Sequence, residues 1–150
     1  MNVVLITCLL QVFVSEAGWN NPRSHAAMGH VLLRNADKNE RSICDSADRI
    51  VWAYSNAQAD HPWVRYLNAS CERPDYYRGV WDTQRCVMLV KRAESFLKGR
   101  VGDPCQGRAD GWRSPKSRAL RYALRHGYRR VKCIGGTTLA FVEEVEHERR

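Results

Sequence analysis

The chain has 150 residues, of which 44% are hydrophobic and 27% are charged. This mixture is typical of one globular domain, and it excludes a disordered chain, a collagen-like fibre, a long coiled coil and a polytopic membrane protein. Lysine and arginine total 24 against 16 aspartate and glutamate residues, so the net charge is +8. A positive surplus predicts an anionic partner, but it does not distinguish nucleic acid from a membrane or a cell wall.

An apolar run from Val3 to Val14 opens the chain, and it has two interpretations. It has the length of a signal-peptide hydrophobic region, and Ser15-Glu16-Ala17 resembles a cleavage site. However, no lysine or arginine precedes the run, and it is too short for a transmembrane helix. The alternative is a buried helix that stays in the protein, with Thr7, Gln11 and Ser15 forming a narrow polar stripe. We favour the retained helix.

The position of Glu16 is the main reason for that preference. On a helix, Glu16 lies about 140° around the axis from Gln11, within the apolar face. Partial burial disfavours the charged carboxylate and raises its pKa. A carboxyl group that keeps its proton near neutral pH can act as a general acid, whereas a signal sequence has no use for one. Glu16 is therefore the candidate catalytic residue.

The first half of the chain is predicted to be helical. Pro22 suits the first turn of a helix that runs to about Ala36. Ser42 is predicted to cap a second helix that ends near Ser55. Residues 56–78 are irregular, and a loop of this length is often functional or partly helical. Val80 to Lys98 has a wide apolar face, and Gly99 is expected to terminate this helix.

The second half is predicted to contain a long loop, a helix and two strands. Gly99 to Pro115 is the loop, and Lys116 to His126 is a helix stopped by Gly127. Arg130 to Cys133 and Thr137 to Val142 are short strands around a Gly-Gly turn. The predicted fold is mainly α, a single domain over residues 1–142 with one short β-hairpin, followed by a charged tail at 143–150.

Six cysteines stand at positions 8, 44, 71, 86, 105 and 133. No C-x-x-C pair is present, which argues against structural zinc, and His25 and His30 are spaced too far around a helix to share a metal. We predict no metal and no cofactor. Disulfides in an oxidising compartment are one interpretation, with Cys71–Cys86 and Cys105–Cys133 as predicted pairs, and buried free thiols are the other.

Positive charge is concentrated between Gly99 and Cys133, where ten basic residues (100, 108, 113, 116, 118, 121, 125, 129, 130 and 132) face two acidic ones (103 and 110). Arg118, Arg121, Arg125 and Arg129 follow helical spacing, which predicts one cationic ridge. A nucleic-acid-binding helix has this pattern, and so does a cell-wall hydrolase that binds anionic polymers or a merely solvated face. Because no helix-turn-helix or zinc-finger pattern is present, we expect no specific nucleic-acid partner.

Two segments near the start of the chain resemble a known enzyme family. Val14 to Trp19 (VSEAGW) and Ala26 to Asn35 (AAMGHVLLRN) are similar to the opening of bacterial and phage cell-wall hydrolases of the spore-cortex-lytic type. In that family one helix ends in Glu-Ala, and the next reads roughly A-x-x-x-V-x-x-N-R. The matched parts of this chain span about residues 10–141 in the family's order, with the middle unmatched.

A third segment, Cys86 to Pro104, resembles the later part of the same family, in which a helix and a glycine precede Asp-Pro and a glycine-rich loop. Asp103 to Ala109 (DPCQGRA) stands where the family has Asp-Pro-Thr-Gly-Gly-Ala. Cys105 replaces the threonine, Arg108 is an insertion, and Gly111 stands where a histidine precedes the aromatic residue.

The resemblance implies a lysozyme-like helical domain, of bacteriophage endolysin or bacterial type, that cleaves the glycan strand of peptidoglycan as a lytic transglycosylase or muramidase. Glu16 would act as general acid and base. Many glycosidases need a second carboxylate. Asp45, Asp48, Asp60 and Asp103 are candidates, but each has the sequence context of a cap, a turn or a surface residue. We therefore favour a single-carboxylate mechanism.

For substrate binding, Tyr54, Trp63 and Trp112 are predicted to stack on sugar faces, and Ser55 to hydrogen-bond to the substrate. The expected partner is the glycan strand, met by a monomer in the periplasm or cell wall. Two alternatives stay open at this level. One is a non-catalytic secreted cationic domain that has lost residues 1–17, and the other is a basic nucleic-acid-binding accessory protein.

Overall fold

The computed structural model describes residues 3–50, 71, 79–134 and 139–145. The described helices are α1 (Val3–Ala17), α2 (Pro22–Lys38), α3 (Ile43–Ile50), α4 (Gly79–Leu97) and α5 (Arg118–Arg125). The described strands are β1 (Gly111–Arg113), β2 (Tyr128–Val131) and β3 (Ala140–Glu144). The predicted class, mainly α with minor β, is confirmed.

Helix α1 is the central helix of the core. Leu9, Val12 and Val14 are each 0% exposed, and the helix contacts α2, α3 and α4. Gln11 of the predicted polar stripe is also buried, while Thr7 is exposed. Helix α1 therefore forms the centre of the helical core in the described structure.

Helix α2 lies against α1 through a buried stripe that includes Met28 and Leu32. The helix begins at Pro22, as the sequence predicts, and a Cβ atom at Gly29 would lie 2.9 Å from the ring of Phe96. Glycine at this position therefore lets α4 approach α2 closely. At the start of α3, the hydroxyl of Ser42 accepts a hydrogen bond from the backbone N–H of Asp45 at 3.0 Å, which is the predicted cap.

The sheet has three antiparallel strands in the order β1-β3-β2. The sequence predicted only the hairpin that β2 and β3 form. Strand β1 lies inside the segment predicted as a loop, because three residues are too few for an alternating pattern to show. Strand β3 runs through Glu144, so residues 143 and 144 of the predicted tail belong to the sheet.

The two faces of the sheet pack against different partners. Trp112 and Phe141 belong to the main hydrophobic cluster with the helices. Ala140 and Val142 point to the other face and pack with Leu120 of α5 in a separate small cluster. Helix α5 therefore covers the face of the sheet that is turned away from the helical core.

Helix α5 is shorter than predicted. Ser117 caps it by accepting a hydrogen bond from the backbone N–H of Leu120 at 3.0 Å, and the chain reverses at Gly127, where φ is +98°. The prediction of a helical ridge of four arginines is wrong for Arg129. Arg129 lies in β2, and its Nε is 2.5 Å from Oε1 of Glu143.

All six cysteines form disulfides, which pair Cys8 with Cys44, Cys71 with Cys86 and Cys105 with Cys133. Both predicted pairs are confirmed, and the alternative of free thiols is wrong. Disulfides persist in oxidising compartments, so the three bonds indicate such an environment. Among the described helices, none combines the length and the apolar character that crossing a membrane requires.

Candidate active site around Glu16

Glu16 lies in the last turn of α1, just before the chain turns at Gly18 with φ of +74°. Its side chain is partly buried, and this burial raises the pKa of the carboxyl group. A hydrogen bond from the side chain of Trp112 acts in the opposite direction, because it favours the carboxylate. The net shift is upward, as sequence analysis predicted, which favours the protonated acid.

Trp112 reaches Glu16 from β1 in the sheet. Its side chain belongs to the main hydrophobic cluster and is 9% exposed. The indole N–H is the only polar donor of a tryptophan side chain, so it must be the group that bonds the carboxyl. The structure thus brings together two of the predicted site residues, and it assigns Trp112 a direct contact with the candidate acid. The predicted stacking of Trp112 on a sugar stays a prediction.

His25 fixes the turn that follows Glu16. This imidazole is 0% exposed on α2, and its Nε2 lies 2.9 Å from the carbonyl oxygen of Gly18. Since a carbonyl can only accept, Nε2 carries the proton and Nδ1 is an acceptor. Nδ1 lies 3.1 Å from a guanidinium nitrogen of Arg92 on α4, which donates to it. The Gly18 turn is therefore connected to both α2 and α4.

The environment of His25 keeps it neutral. The ring stacks on Phe13 with centroids 4.7 Å apart. Burial lowers the pKa of His25 to about 4, and the positive charge of Arg92 contributes to the lowering, whereas the hydrogen bonds to Gly18 and Phe13 oppose it. His25 is therefore a neutral positioning group for the end of α1 rather than a proton carrier near pH 7.

Asp103 organises the loop that leads to β1. Its carboxylate accepts the backbone N–H groups of Cys105 at 2.8 Å and Gly107 at 2.9 Å. It also binds the guanidinium of Arg34 on α2 at 2.6 Å, and Arg34 donates a second hydrogen bond to the carbonyl of Ala109. Burial alone raises the pKa of Asp103, but these partners outweigh it and the pKa is lowered. The loop is thus tied to α2 just before Trp112.

A second set of contacts holds the same loop to the sheet. Cys105 is bonded to Cys133, which follows β2. Arg108 lies 2.9 Å from Oε1 of Glu143 in β3. Together with Asp103, these contacts fix both sides of the segment that places Trp112 beside Glu16.

The other predicted site residues and candidate carboxylates are exposed, held in the loop or outside the described residues. Tyr54, Ser55 and Trp63 lie outside the described residues, as does Asp60. Asp45 and Asp48 are exposed on α3. Asp103 is occupied by the loop contacts.

The sequence patterns did not point to His25, Arg92 or Arg34 as site residues. A signal for His25 exists, because it shares the buried stripe of α2 with Met28, Leu32 and Ala36 at helical spacing. A buried imidazole requires partners, but the sequence does not say that they are Gly18 and Arg92.

Over the part of the chain that the structure describes, no three histidine, cysteine, aspartate or glutamate residues lie close enough together to hold a metal ion. In comparisons with known proteins, no family model, curated protein or solved structure matches this chain.

Proposed function

We propose that this protein cleaves the glycan strand of peptidoglycan, with Glu16 as general acid. The observation that carries the proposal is the environment of Glu16, whose pKa is raised by burial while its carboxyl contacts Trp112. General acids of glycosidases need a carboxyl group that stays protonated near neutral pH. The resemblance of Val14 to Trp19 and of Asp103 to Ala109 to cell-wall hydrolases supports this choice of substrate.

A lytic transglycosylase mechanism fits the residues best. Glu16 donates its proton to the glycosidic oxygen as the bond from the anomeric carbon to that oxygen breaks. The C6 hydroxyl of the same sugar then attacks the anomeric carbon, and the Glu16 carboxylate accepts the hydroxyl proton. An anhydro ring forms and Glu16 returns to its acid form, so the reaction requires neither water nor a second carboxylate.

The other candidate carboxylates support the single-acid mechanism. The carboxylate of Asp103 is bound by two backbone N–H groups and by Arg34, so its oxygens are already used to hold the loop. Asp45 and Asp48 are exposed on α3. A muramidase, which forms hydrated reducing ends, would need a further carboxylate near the substrate.

The three disulfides support action in the periplasm or cell wall, where peptidoglycan lies. The core position of α1 supports the enzyme over a secreted binding domain without residues 1–17. Removing α1 would take Glu16 and the partner of Cys44 out of the protein.

The test is digestion of purified peptidoglycan, stripped of attached polymers, with the product masses read directly. Wild type is expected to release anhydro-muropeptides, and Glu16→Gln to release them at least about 100-fold more slowly. Glu40→Gln, at an exposed position after α2, is the matched control and should keep the wild-type rate.

Two results would overturn parts of the proposal. Hydrated reducing ends would replace the transglycosylase with a muramidase that uses a second carboxylate. Full activity of Glu16→Gln, or no product from wild type, would remove Glu16 as the acid or peptidoglycan as the substrate.

A further inference from the structure

Helix α5 presents a positively charged surface that the proposed cleavage reaction does not use. The helix covers the sheet through Leu120 and Ala123, which are 6% and 3% exposed. Trp112 leaves the opposite face of the sheet to reach Glu16. The outer side of α5 is therefore separated from Glu16 by the thickness of the sheet.

Three arginines form a row on that outer side. Arg118, Arg121 and Arg125 are all exposed, and we call them the α5 ridge. At about 100° and 1.5 Å per residue, they lie within about 60° of one another and span roughly 10 Å along the helix. Beside the row, Tyr122 is 65% exposed and its ring stacks on His126 with centroids 3.8 Å apart.

The charge of the ridge is not neutralised within the described structure. The described salt bridges join Arg34 to Asp103, and Arg108 and Arg129 to Glu143, but none involves a ridge arginine. Residues 111–134 contain eight basic residues (113, 116, 118, 121, 125, 129, 130 and 132) and no acidic residue. The ridge keeps its donors turned to solvent, apart from one hydrogen bond from Arg121 to the carbonyl of Lys116 at 3.0 Å.

This geometry matches a linear polymer that carries repeated phosphate groups. A guanidinium offers a planar fork of donors that binds two phosphate oxygens at once. Successive ridge arginines are about 4.5 and 6 Å apart along the axis, so several phosphates of one chain can be bound together.

We propose that the α5 ridge binds a phosphodiester-linked polymer of the cell envelope and anchors the enzyme to the wall while Glu16 acts elsewhere. The choice of an envelope polymer rests on the proposed function. The disulfides support it over nucleic acid, because they indicate an oxidising compartment. Single-stranded nucleic acid is held in grooves with several stacking aromatic residues, whereas α5 is a convex helix with one exposed tyrosine.

The test measures binding without cleavage, in the full chain carrying Glu16→Gln. The protein is sedimented with purified cell walls that bear a glycerol-phosphate or ribitol-phosphate polymer, and with the same walls after hydrofluoric acid has removed it. We expect at least tenfold weaker binding to the treated walls. Changing Arg118, Arg121 and Arg125 to glutamine should cause a similar loss on the untreated walls.

A matched control removes the same charge elsewhere. Arg23, Arg49 and Lys91 are exposed on α2, α3 and α4, and their combined change to glutamine should leave binding within about twofold. Equal loss in this control would overturn the proposal, because net charge alone would then explain binding. Equal binding to treated and untreated walls would overturn it as well.

Duplex DNA at the same phosphate concentration is the final arm of the experiment. DNA bound more tightly than the untreated walls, through the α5 ridge, would replace the envelope polymer with nucleic acid. Because this assay measures no cleavage, its outcome is independent of whether peptidoglycan is digested. Loss of activity on stripped peptidoglycan would instead count against the proposed function alone.

Discussion

His25 donates a hydrogen bond from Nε2 to the carbonyl oxygen of Gly18, and this contact connects the core of α2 to the turn that follows Glu16. The contact requires a neutral imidazole, because Nδ1 already accepts a hydrogen bond from Arg92. A proton added at Nδ1 would place two donors against each other in a buried space. The stability of the fold and the position of Glu16 therefore share one titratable group.

This relationship predicts a loss of stability in acid. The pKa of His25 is about 4 in the folded protein, against about 6.5 in the unfolded chain. Between these values the unfolded state binds more protons, so the stabilisation is complete above pH 6.5 and is lost as the pH falls toward 4. The free energy of unfolding should fall by about 3 kcal/mol more in wild type than in His25→Gln between pH 7 and 4.

Chemical denaturation of both proteins at the two pH values measures this difference. Carboxylates such as Asp103 and Glu143 also lose stabilising charge in acid, but they are present in both proteins and cancel. Identical pH dependence in the two proteins would contradict a neutral, buried His25.

The contact between Trp112 and Glu16 predicts a shift in the pH dependence of activity. The indole lowers the pKa of Glu16 against the larger effect of burial. Trp112→Phe removes the donor, so the pKa should rise further and the acid should stay protonated to higher pH. The alkaline limb of kcat/KM should move to higher pH, because the carboxylate loses a hydrogen bond that stabilises its charge.

Trp19→Phe is the comparison for this experiment, because it makes the same change at another buried tryptophan, and the side-chain hydrogen bond that lowers the pKa of Glu16 comes from Trp112. The alkaline limb of kcat/KM in Trp19→Phe should coincide with that of wild type. An unmoved limb in Trp112→Phe would show that the titration seen in activity does not belong to Glu16.

The carboxylate of Asp103 is predicted to be a main support of the loop before β1. Asp103→Asn removes the negative partner of Arg34 and weakens the bonds to Cys105 and Gly107. The free energy of unfolding at pH 7 should fall by about 2–3 kcal/mol. Denaturant unfolding measures this, with Asp48→Asn at an exposed site of α3 as the control.

The pH dependence of the same variant tests whether Asp103 stabilises the loop through its ion pair. Because the folded pKa of Asp103 is lowered, its contribution is present above its unfolded pKa and disappears as the pH falls through the folded pKa. The difference between Asp103→Asn and wild type should therefore shrink in strong acid. A difference that is constant with pH would rule out the ion pair as its source.

Gly29 is predicted to be required by the packing of α2 on α4. In Gly29→Ala the new methyl carbon would lie 2.9 Å from Phe96, and this overpacking is expected to destabilise by about 1–3 kcal/mol. The better helix propensity of alanine offsets about 1 kcal/mol of that. Thermal unfolding should show a lower Tm for Gly29→Ala and no loss for Gly102→Ala, which has no neighbouring atom within 4 Å. Equal Tm values would mean that the ring of Phe96 yields freely.

The disulfide between Cys8 and Cys44 predicts that α1 is present in the mature protein. Tryptic digestion without reduction should release residues 1–23 linked to residues 42–49, a product that mass spectrometry identifies directly. The bond closes a separation of 36 residues, so replacing both cysteines with alanine should lower the free energy of unfolding by about 4 kcal/mol. A mature chain that begins at Gly18 would contradict both the retained helix and the proposed acid.

Local signals in the sequence were sufficient for the helices, because each depends on residues close together in the chain. Pro22 and Ser42 act at the first turn of their helices, and the apolar spacing of α4 is visible within nineteen residues. Glu16 could be selected for the same reason, since its place on the apolar face of α1 follows from helical geometry alone. The basic composition of residues 111–134 was also readable, although the structure removes Arg129 from the ridge.

Tertiary contacts decided the rest. Strand β1 exists because Gly111 to Arg113 find hydrogen-bonding partners on β3, and three residues carry no periodic pattern of their own. The sequence predicted a raised pKa for Glu16, but not that Trp112 bonds its carboxyl or that His25 and Arg92 hold the turn behind it. Trp112 and Arg92 lie far along the chain from Glu16 and His25, and only the packing of α1, α2, α4 and the sheet brings these residues within bonding distance.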